Sequence, residues 1–383
     1  MIKNNLLTSN SIQKKHLNNN FLKKLYKKYP KIILEVKNEV ENSKKTLNVL
    51  NKKFKFGFRI IDLRKFQQYK TVAIVGMGGS ILGAEAIYNF LEKKIKKKFY
   101  FFDDLDDKKL LKIKKNKNLD KILFLVISKS GNTIETLSNS FALDIFKKNA
   151  KNIILISERK NNFLFSLSKK LNLFHVEHKN YIGGRYSVLS EAGLIPAYLM
   201  GININKLRSN VLKFLTNKEK FFLKNSAIYL TSLLKSKKIN NLIFLNYSSE
   251  LQNFLYWCQQ LVAESLGKEG NGFLPVLSSV PKDHHSLLQL YLDGPKDKIF
   301  YIFSIEKEKT TTINIKKNIN LNNYLNKKTL GSVKIAQKKA LIKAFKKNNV
   351  PFREFKIKAI NEEVLGELFS YFMLETVTIG KLM

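Results

Sequence analysis

Ser128-Lys129-Ser130-Gly131-Asn132-Thr133-Ile134-Glu135-Thr136 follows the apolar run Ile122-Leu123-Phe124-Leu125-Val126-Ile127. A continuous apolar run of this length reads as a strand buried on both faces, as in a parallel sheet. The residues beyond the turn, with Leu137, Phe141, Leu143 and Ile145 apolar, predict a helix. A strand that turns through small hydroxyl residues into a helix makes an anion site. The first backbone N–H groups of a helix have no intrahelical partners, and the helix dipole favours negative charge there. Ser128, Ser130 and Thr133 add three hydroxyl donors. The Walker lysine pattern is missing, so the turn points to a small phosphorylated ligand rather than a nucleoside triphosphate.

Similar strand–turn–helix units lie on either side. Thr71-Val72-Ala73-Ile74-Val75 predicts a strand, followed by Gly76-Met77-Gly78-Gly79-Ser80 and a helical run from Ile81 to Leu91. Residues 99–102 and 152–156 predict two more strands. After a helical stretch over 196–235 the pattern restarts, with strands expected at 241–247, 272–277 and 299–303 and a long helical run through Leu266 between the first two. Strands alternating with helices imply βαβ units. The expected fold is α/β, with two doubly wound parallel-sheet domains and helical N- and C-terminal extensions. The expected divisions are a mostly helical segment over 1–50, a first α/β domain over 51–195, a helical connection over 196–235, a second α/β domain over 236–360 and an apolar helix over 361–383. Ligands of such sheets bind beyond the carboxyl ends of the strands. Gly79 and Ser80 fall at one such end and the Ser128–Thr136 turn at another.

Composition narrows the setting. A chain of 383 residues that is 44% apolar can bury a large core. Its one cysteine, Cys258, rules out an intrachain disulfide and a cysteine-cluster zinc site, and suits a reducing cytosol. The N-terminal residues lack the apolar core of a signal peptide, and no apolar run reaches the roughly 20 residues of a membrane helix. The chain therefore reads as soluble and cytoplasmic. The net charge of +39 raises nucleic-acid binding. However, the lysines are spread along the chain, as in Lys96-Lys97-Lys98 and Lys237-Lys238, beside abundant Asn, Ile and Phe. That is the signature of A/T-rich codons, and no nucleic-acid motif accompanies it, so no specific nucleic-acid partner is expected. A positive field would still draw in a phosphorylated substrate.

Other segments could carry chemistry. Gly76-Met77-Gly78-Gly79-Ser80 lets a ligand approach backbone closely, but it is not the dinucleotide fingerprint, and such a turn serves packing as readily as binding. Arg185, in Gly183-Gly184-Arg185-Tyr186-Ser187, could face a developing oxyanion or simply decorate a turn. Glu264 is flanked by Leu261, Val262 and Leu266. A carboxylate in apolar surroundings has raised proton affinity and makes a usable base, whereas an amphipathic helix also accommodates such an acid. His284 and His285 precede a helix over 287–292. Their adjacency excludes a metalloprotease-type zinc site. His175 and His178, in a polar stretch, read as solvated loop residues rather than metal ligands.

In this order the segments resemble the phosphoglucose isomerase family, over about residues 70–383. The match rests on Gly76–Gly83, Ser128–Thr136, Gly183–Ser187, Glu264-Ser265-Leu266-Gly267-Lys268, and His285 with Gln289. The resemblance implies two sugar-isomerase (SIS) domains and an aldose–ketose isomerase of glycolysis and gluconeogenesis, interconverting glucose 6-phosphate and fructose 6-phosphate. By it, Ser128, Lys129, Ser130 and Thr133 would hold the phosphate, Glu135 would order the turn, and Gly79 and Ser80 would line the sugar. His285 would open the pyranose ring, Glu264 would carry the proton between C2 and C1, and Arg185 would stabilise the cis-enediolate. No metal or redox cofactor is implied. The family's histidine comes from the neighbouring subunit, which implies a homodimer with a shared active site. The family's chain also continues into a segment bearing a glutamine and a catalytic lysine. Gly380-Lys381 imitates that ending but reads as part of the preceding helix, so the expectation is that this C-terminal segment is missing. The alternatives are a non-catalytic sugar-phosphate-binding SIS protein and a bifunctional glucose/mannose-6-phosphate isomerase.

Overall fold

In the computed structural model, which describes residues 5–115, 118–216, 218–306, 310–315 and 323–383, the run Ile122–Ile127 is a strand buried along its whole length. It belongs to a five-stranded parallel sheet. The strands are β2 (Thr71–Gly76), β3 (Lys98–Phe102), β4 (Ile122–Ile127), β5 (Ile153–Ser157) and β6 (Phe174–Glu177), in the order β3-β2-β4-β5-β6. The chain runs from β2 outward to β3, then returns past β2 to β4, β5 and β6. The direction of winding therefore reverses between β2 and β4, where the register pairs Gly76 with Ile127. Such a reversal opens a crevice at the carboxyl ends of the two strands. Both the Gly78–Ser80 turn and the Ser128–Thr133 turn leave the sheet there.

A second sheet repeats the design. It has β1 (Leu6–Asn10), β7 (Asn241–Asn246), β8 (Leu274–Ser279), β9 (Lys298–Ile305) and β10 (Phe352–Ile357), in the order β1-β10-β9-β7-β8. All its pairings are parallel except β1, which lies antiparallel on β10. Strand β1 is an element that the mostly helical expectation for residues 1–50 did not contain. The long helix Asn19–Glu41 is present, but the segment before it closes the edge of the second sheet. The polar sequence of β1 suits an edge strand.

The two sheets share one continuous core. Val72, Ile74, Leu123 and Leu125 of the first sheet join it from one side, and Tyr301, Phe303 and Phe355 of the second from the other. Between them lie helices Leu82–Leu91, Gln252–Leu266 and Glu362–Leu382. The last is buried nearly throughout, its polar residues Glu367, Ser370 and Glu375 included. Asn361 caps its start by accepting from the Val364 N–H at 2.9 Å. Gly380 and Lys381 sit within this helix. Lys381 pairs with Glu39 at 2.9 Å and Glu35 at 3.6 Å on the Asn19–Glu41 helix. Among the described residues no helix is long and apolar enough to cross a membrane.

Candidate active site

The turn after β4 is built from its own hydroxyls. Ser128 is buried, and its Oγ accepts from the Gly131 N–H at 3.1 Å and lies 2.8 Å from Thr133 Oγ1. Ser130 Oγ stands 3.5 Å from each of the other two. The turn requires Gly131 in the left-handed region, at φ +70°. Thr133 is the N-cap of helix Ile134–Ala142, yet its side chain makes no capping hydrogen bond. Its hydroxyl joins the ring instead, so no cap side chain takes the helix's first N–H groups. Glu135 lies in that first turn, partly exposed. Lys129 departs from expectation: its ammonium leaves the ring, donating to Asn180 O at 2.8 Å and standing 3.7 Å from Glu158.

The two glycine-rich turns interlock. A Cβ on Gly79 would lie 2.3 Å from the Gly184 carbonyl carbon and 2.5 Å from Arg185 N. Ser187 Oγ donates to Gly79 O at 3.2 Å and Gly184 O at 2.7 Å. The packing role left open for these glycines is therefore real, and it serves to place Arg185 beside the β2 turn. Ser80 ends that turn, partly exposed.

Arg185 is held on several sides. Its carbonyl accepts from Trp257 Nε1 at 3.1 Å, and its guanidinium lies over the Tyr186 ring. Nε donates to Ser265 Oγ at 2.7 Å and Nη1 to Glu264 Oε2 at 3.0 Å. Tyr186 OH completes the cluster at 2.8 Å from Ser265 Oγ. The other Glu264 oxygen accepts from Gln260 Nε2 at 2.7 Å. Glu264 is not in apolar surroundings: its side chain is 48% exposed. Val262 and Leu266 are buried on the far side of the same helix, and Leu261 is buried beside it. The expectation failed because neighbours in a helical sequence point to different faces. Gln260, four residues before Glu264, shares its face and is absent from the sequence reading; that i,i+4 spacing was the available signal.

The four histidines singled out from the sequence separate into three groups. His285 is exposed after the turn that follows β8, and its side chain makes no hydrogen bond or ion pair among the described residues. Among the described residues no hydrogen bond or ion pair joins it to Arg185 or Glu264. His284 instead lies 3.1 Å from Tyr247 OH. Of the two histidines expected in solvent, His178 is buried and His175 half-buried, and desolvation pushes both down to about 4. His175 Nε2 meets Ser157 Oγ at 2.9 Å. Among the described residues, no group of three or more His, Cys, Asp and Glu side chains is arranged to hold a metal.

The profile of the phosphoglucose isomerase family matches residues 32–369. The chain belongs to this family. It is 32% identical over 352 residues to the probable glucose-6-phosphate isomerase of Methanococcus maripaludis, covering 88% of this chain and 78% of that one. It is also 32% identical over 337 residues to the glucose-6-phosphate isomerase of Methanocaldococcus jannaschii, covering 82% and 79%. Among solved structures, a hypothetical protein from Thermus thermophilus superimposes with a TM-score of 0.79 at 22% identity, over 98% of this chain and 94% of that one. A glucose-6-phosphate isomerase from Chlamydia trachomatis gives 0.73 at 16% identity, over 99% and 84%. These structural likenesses show the same α/β fold, with its two mostly parallel sheets.

Proposed function

We propose that the chain interconverts glucose 6-phosphate and fructose 6-phosphate through a cis-enediolate. The observation that carries this reading is the 3.0 Å contact between Arg185 and Glu264, which places a base and a permanent cation side by side next to the β2 turn. The neighbouring β4 turn supplies the anchor. Ser128, Ser130 and Thr133, with the start of helix Ile134–Ala142, take the phosphate, and the lysine charge of Lys129 adds to the field around it. Gly79 and Ser80 line the sugar.

In the open-chain aldose, Glu264 removes the proton from C2. The electron pair left at C2 becomes the C1–C2 double bond, and the π pair of the C1 carbonyl moves onto its oxygen, which takes up a proton only in the second step. Glu264 then returns its proton to C1 while the C2 hydroxyl loses its own and becomes the ketone. The sum is one proton moved from C2 to C1 and one from the C2 oxygen to the C1 oxygen. Charge develops on the two oxygens between these steps, and Arg185 stabilises it there. Gln260 keeps the Glu264 carboxylate oriented. Replacing Glu264 by Gln keeps the shape and removes the base. Fructose 6-phosphate formation should fall by at least about 10²-fold; equal rates in both proteins would overturn the assignment.

Opening of the pyranose ring is assigned to His285 of a second copy, as the family resemblance implies; among the described residues of one chain no hydrogen bond joins it to the pair. The family membership supports a homodimer with a shared site. Mixing Glu264→Gln with His285→Ala subunits should then restore part of the activity that each lacks alone. We place the reaction in the cytosol, the compartment that the single, buried Cys258 suits.

A further inference from the structure

We infer that Asn162 is the positioning residue for the phosphate turn, although it contacts no part of the sugar phosphate itself. The inference rests on the reading of the Ser128–Thr133 turn as the phosphate anchor. Asn162 is 4% exposed and lies in the turn that follows β5, at the start of helix Phe163–Lys170.

The phosphate turn is suspended from this neighbouring segment at three points. The Glu158 N–H donates to Lys129 O at 3.0 Å, and the Leu164 N–H donates to Gly131 O at 3.2 Å. The Phe163 N–H donates to Asn132 Oδ1 at 2.9 Å. Asn162 organises the segment that makes these contacts. Its Nδ2 donates to Glu158 O at 2.8 Å and Lys160 O at 3.2 Å, closing the 158–162 turn. Its Oδ1 accepts from the Phe165 N–H at 3.0 Å, capping the helix. The same amide also forms a wall against the phosphate turn. A Cβ on Gly131 would lie 1.9 Å from Asn162 Oδ1 and 2.4 Å from its Cγ. Gly131 therefore rests on the amide itself, at the one residue whose left-handed backbone lets Ser128 Oγ reach its N–H.

Two functions are thus joined in one side chain, a helix cap and a backstop. Removing the backstop frees Gly131 to relax toward 162. Ser130 is the hydroxyl with the longest contacts in the ring, 3.5 Å to each neighbour, and it would move first. Displacement on the scale of an ångström is enough to weaken a phosphate contact substantially. The phosphate is remote from C1 and C2 and is held equally in ground and transition states. Its loosening is a loss of uniform binding, which raises KM and leaves kcat unchanged.

Two variants separate backstop from cap. Asn162→Ala removes both. Asn162→Ser restores a capping oxygen, which serine supplies nearly as well as asparagine, but leaves the wall against Gly131 missing. The readouts are kcat and KM for fructose 6-phosphate, the competitive inhibition constant of inorganic phosphate, and the thermal midpoint. In Asn162→Ala, KM and the phosphate constant should rise together by about tenfold, with kcat within about twofold. In Asn162→Ser the thermal midpoint should return toward that of the parent while KM and the phosphate constant stay raised. If both constants recover with the midpoint, or never move, Asn162 is a cap and the inference fails. If Asn162→Ala does not fold, the serine variant alone decides by the same comparison. Should inorganic phosphate fail to compete in the parent protein, the phosphate reading of the turn falls, and the inference with it; competition in the parent with unchanged constants in the variants overturns the inference alone.

Discussion

Arg185 reaches Glu264 through Nη1 at 3.0 Å while its Nε holds Ser265, the next residue in the chain, at 2.7 Å. One guanidinium thus fixes two successive side chains of the Gln252–Leu266 helix from a turn belonging to the other sheet. Lysine offers a single charged point and cannot make both contacts. Arg185→Lys should therefore lower kcat by about 10²–10³-fold, the scale for losing an oriented donor to a developing oxyanion, with KM within a few-fold. Steady-state kinetics in both directions check this, and an unchanged kcat would remove Arg185 from the mechanism. Ser265→Ala loosens only the orientation and should cost about tenfold or less.

The sequence carried the central strands because they are buried on both faces. Ile122–Ile127 and Ile153–Ser157 have no solvent side, so their apolar runs are unbroken. Strand β10 was invisible for the opposite reason. Phe352-Arg353-Glu354-Phe355-Lys356-Ile357 alternates charge with apolar residues, yet Arg353 is fully buried. What makes that burial tolerable is Glu375 on a distant helix, and no local pattern reveals a partner 22 residues away. The site divided in the same way. Turns defined by local chemistry, such as Ser128–Thr133, were legible. Gln260 was not, because its significance comes only from the face it shares with Glu264. The ammonium of Lys129 was likewise assigned to the phosphate by its place in the motif, whereas Asn180 and Glu158 draw it elsewhere.

The interlock of the glycine turns is asymmetric, which gives a sharp test. Gly79 has no room for a methyl group, since the nearest atoms are backbone at 2.3 and 2.5 Å. Gly184, on the other side of the same contact, has its nearest neighbour at 4.0 Å. Gly79→Ala should push the Arg185 turn away and lower kcat/KM by about 10²-fold or more. Gly184→Ala should stay within a few-fold of the parent. Equal behaviour of the two variants would mean that the turns are not in register as described.

Arg353, Glu375, Tyr301, Tyr371 and Ser226 form a buried polar network behind the second sheet. Arg353 Nη1 donates to Glu375 Oε1 at 2.9 Å and to Tyr301 OH at 2.8 Å, and Nη2 donates to Ser226 O at 3.0 Å. Tyr371 OH donates to Glu375 Oε1 at 2.6 Å. Desolvation pushes both tyrosines well above their usual range. Glu375→Ala leaves the guanidinium buried without its counter-charge and should cost about 3–5 kcal/mol in urea unfolding. Replacing Arg353 by Met and Glu375 by Leu together should cost less than the single change, because no lone charge remains. A double variant as unstable as Glu375→Ala would show that the network contributes more than charge balance.

Glu85 gives the clearest dependence of stability on pH. It is 9% exposed near the start of helix Leu82–Leu91. Burial, with the charge of Asp103 adding to it, raises its carboxyl from 4.5 to about 7. A raised carboxyl means that the folded state binds the proton more tightly than the unfolded one. Its contribution to stability is therefore fully present below about pH 4.5 and is lost as pH rises through about 7. Glu85→Gln keeps a neutral side chain of the same shape at every pH. Relative to the parent, the variant should gain about 2–3 kcal/mol between pH 4.5 and 7.5, and the difference should be level above that. The comparison is best made on the difference in unfolding midpoint, because His175 and His178 act in the opposite sense. They are held neutral in the fold and lose their contribution as pH falls from about 6.5 to about 4. That slope is common to parent and variant and cancels. A midpoint difference that does not change with pH would place Glu85 in a far more polar environment than its burial implies.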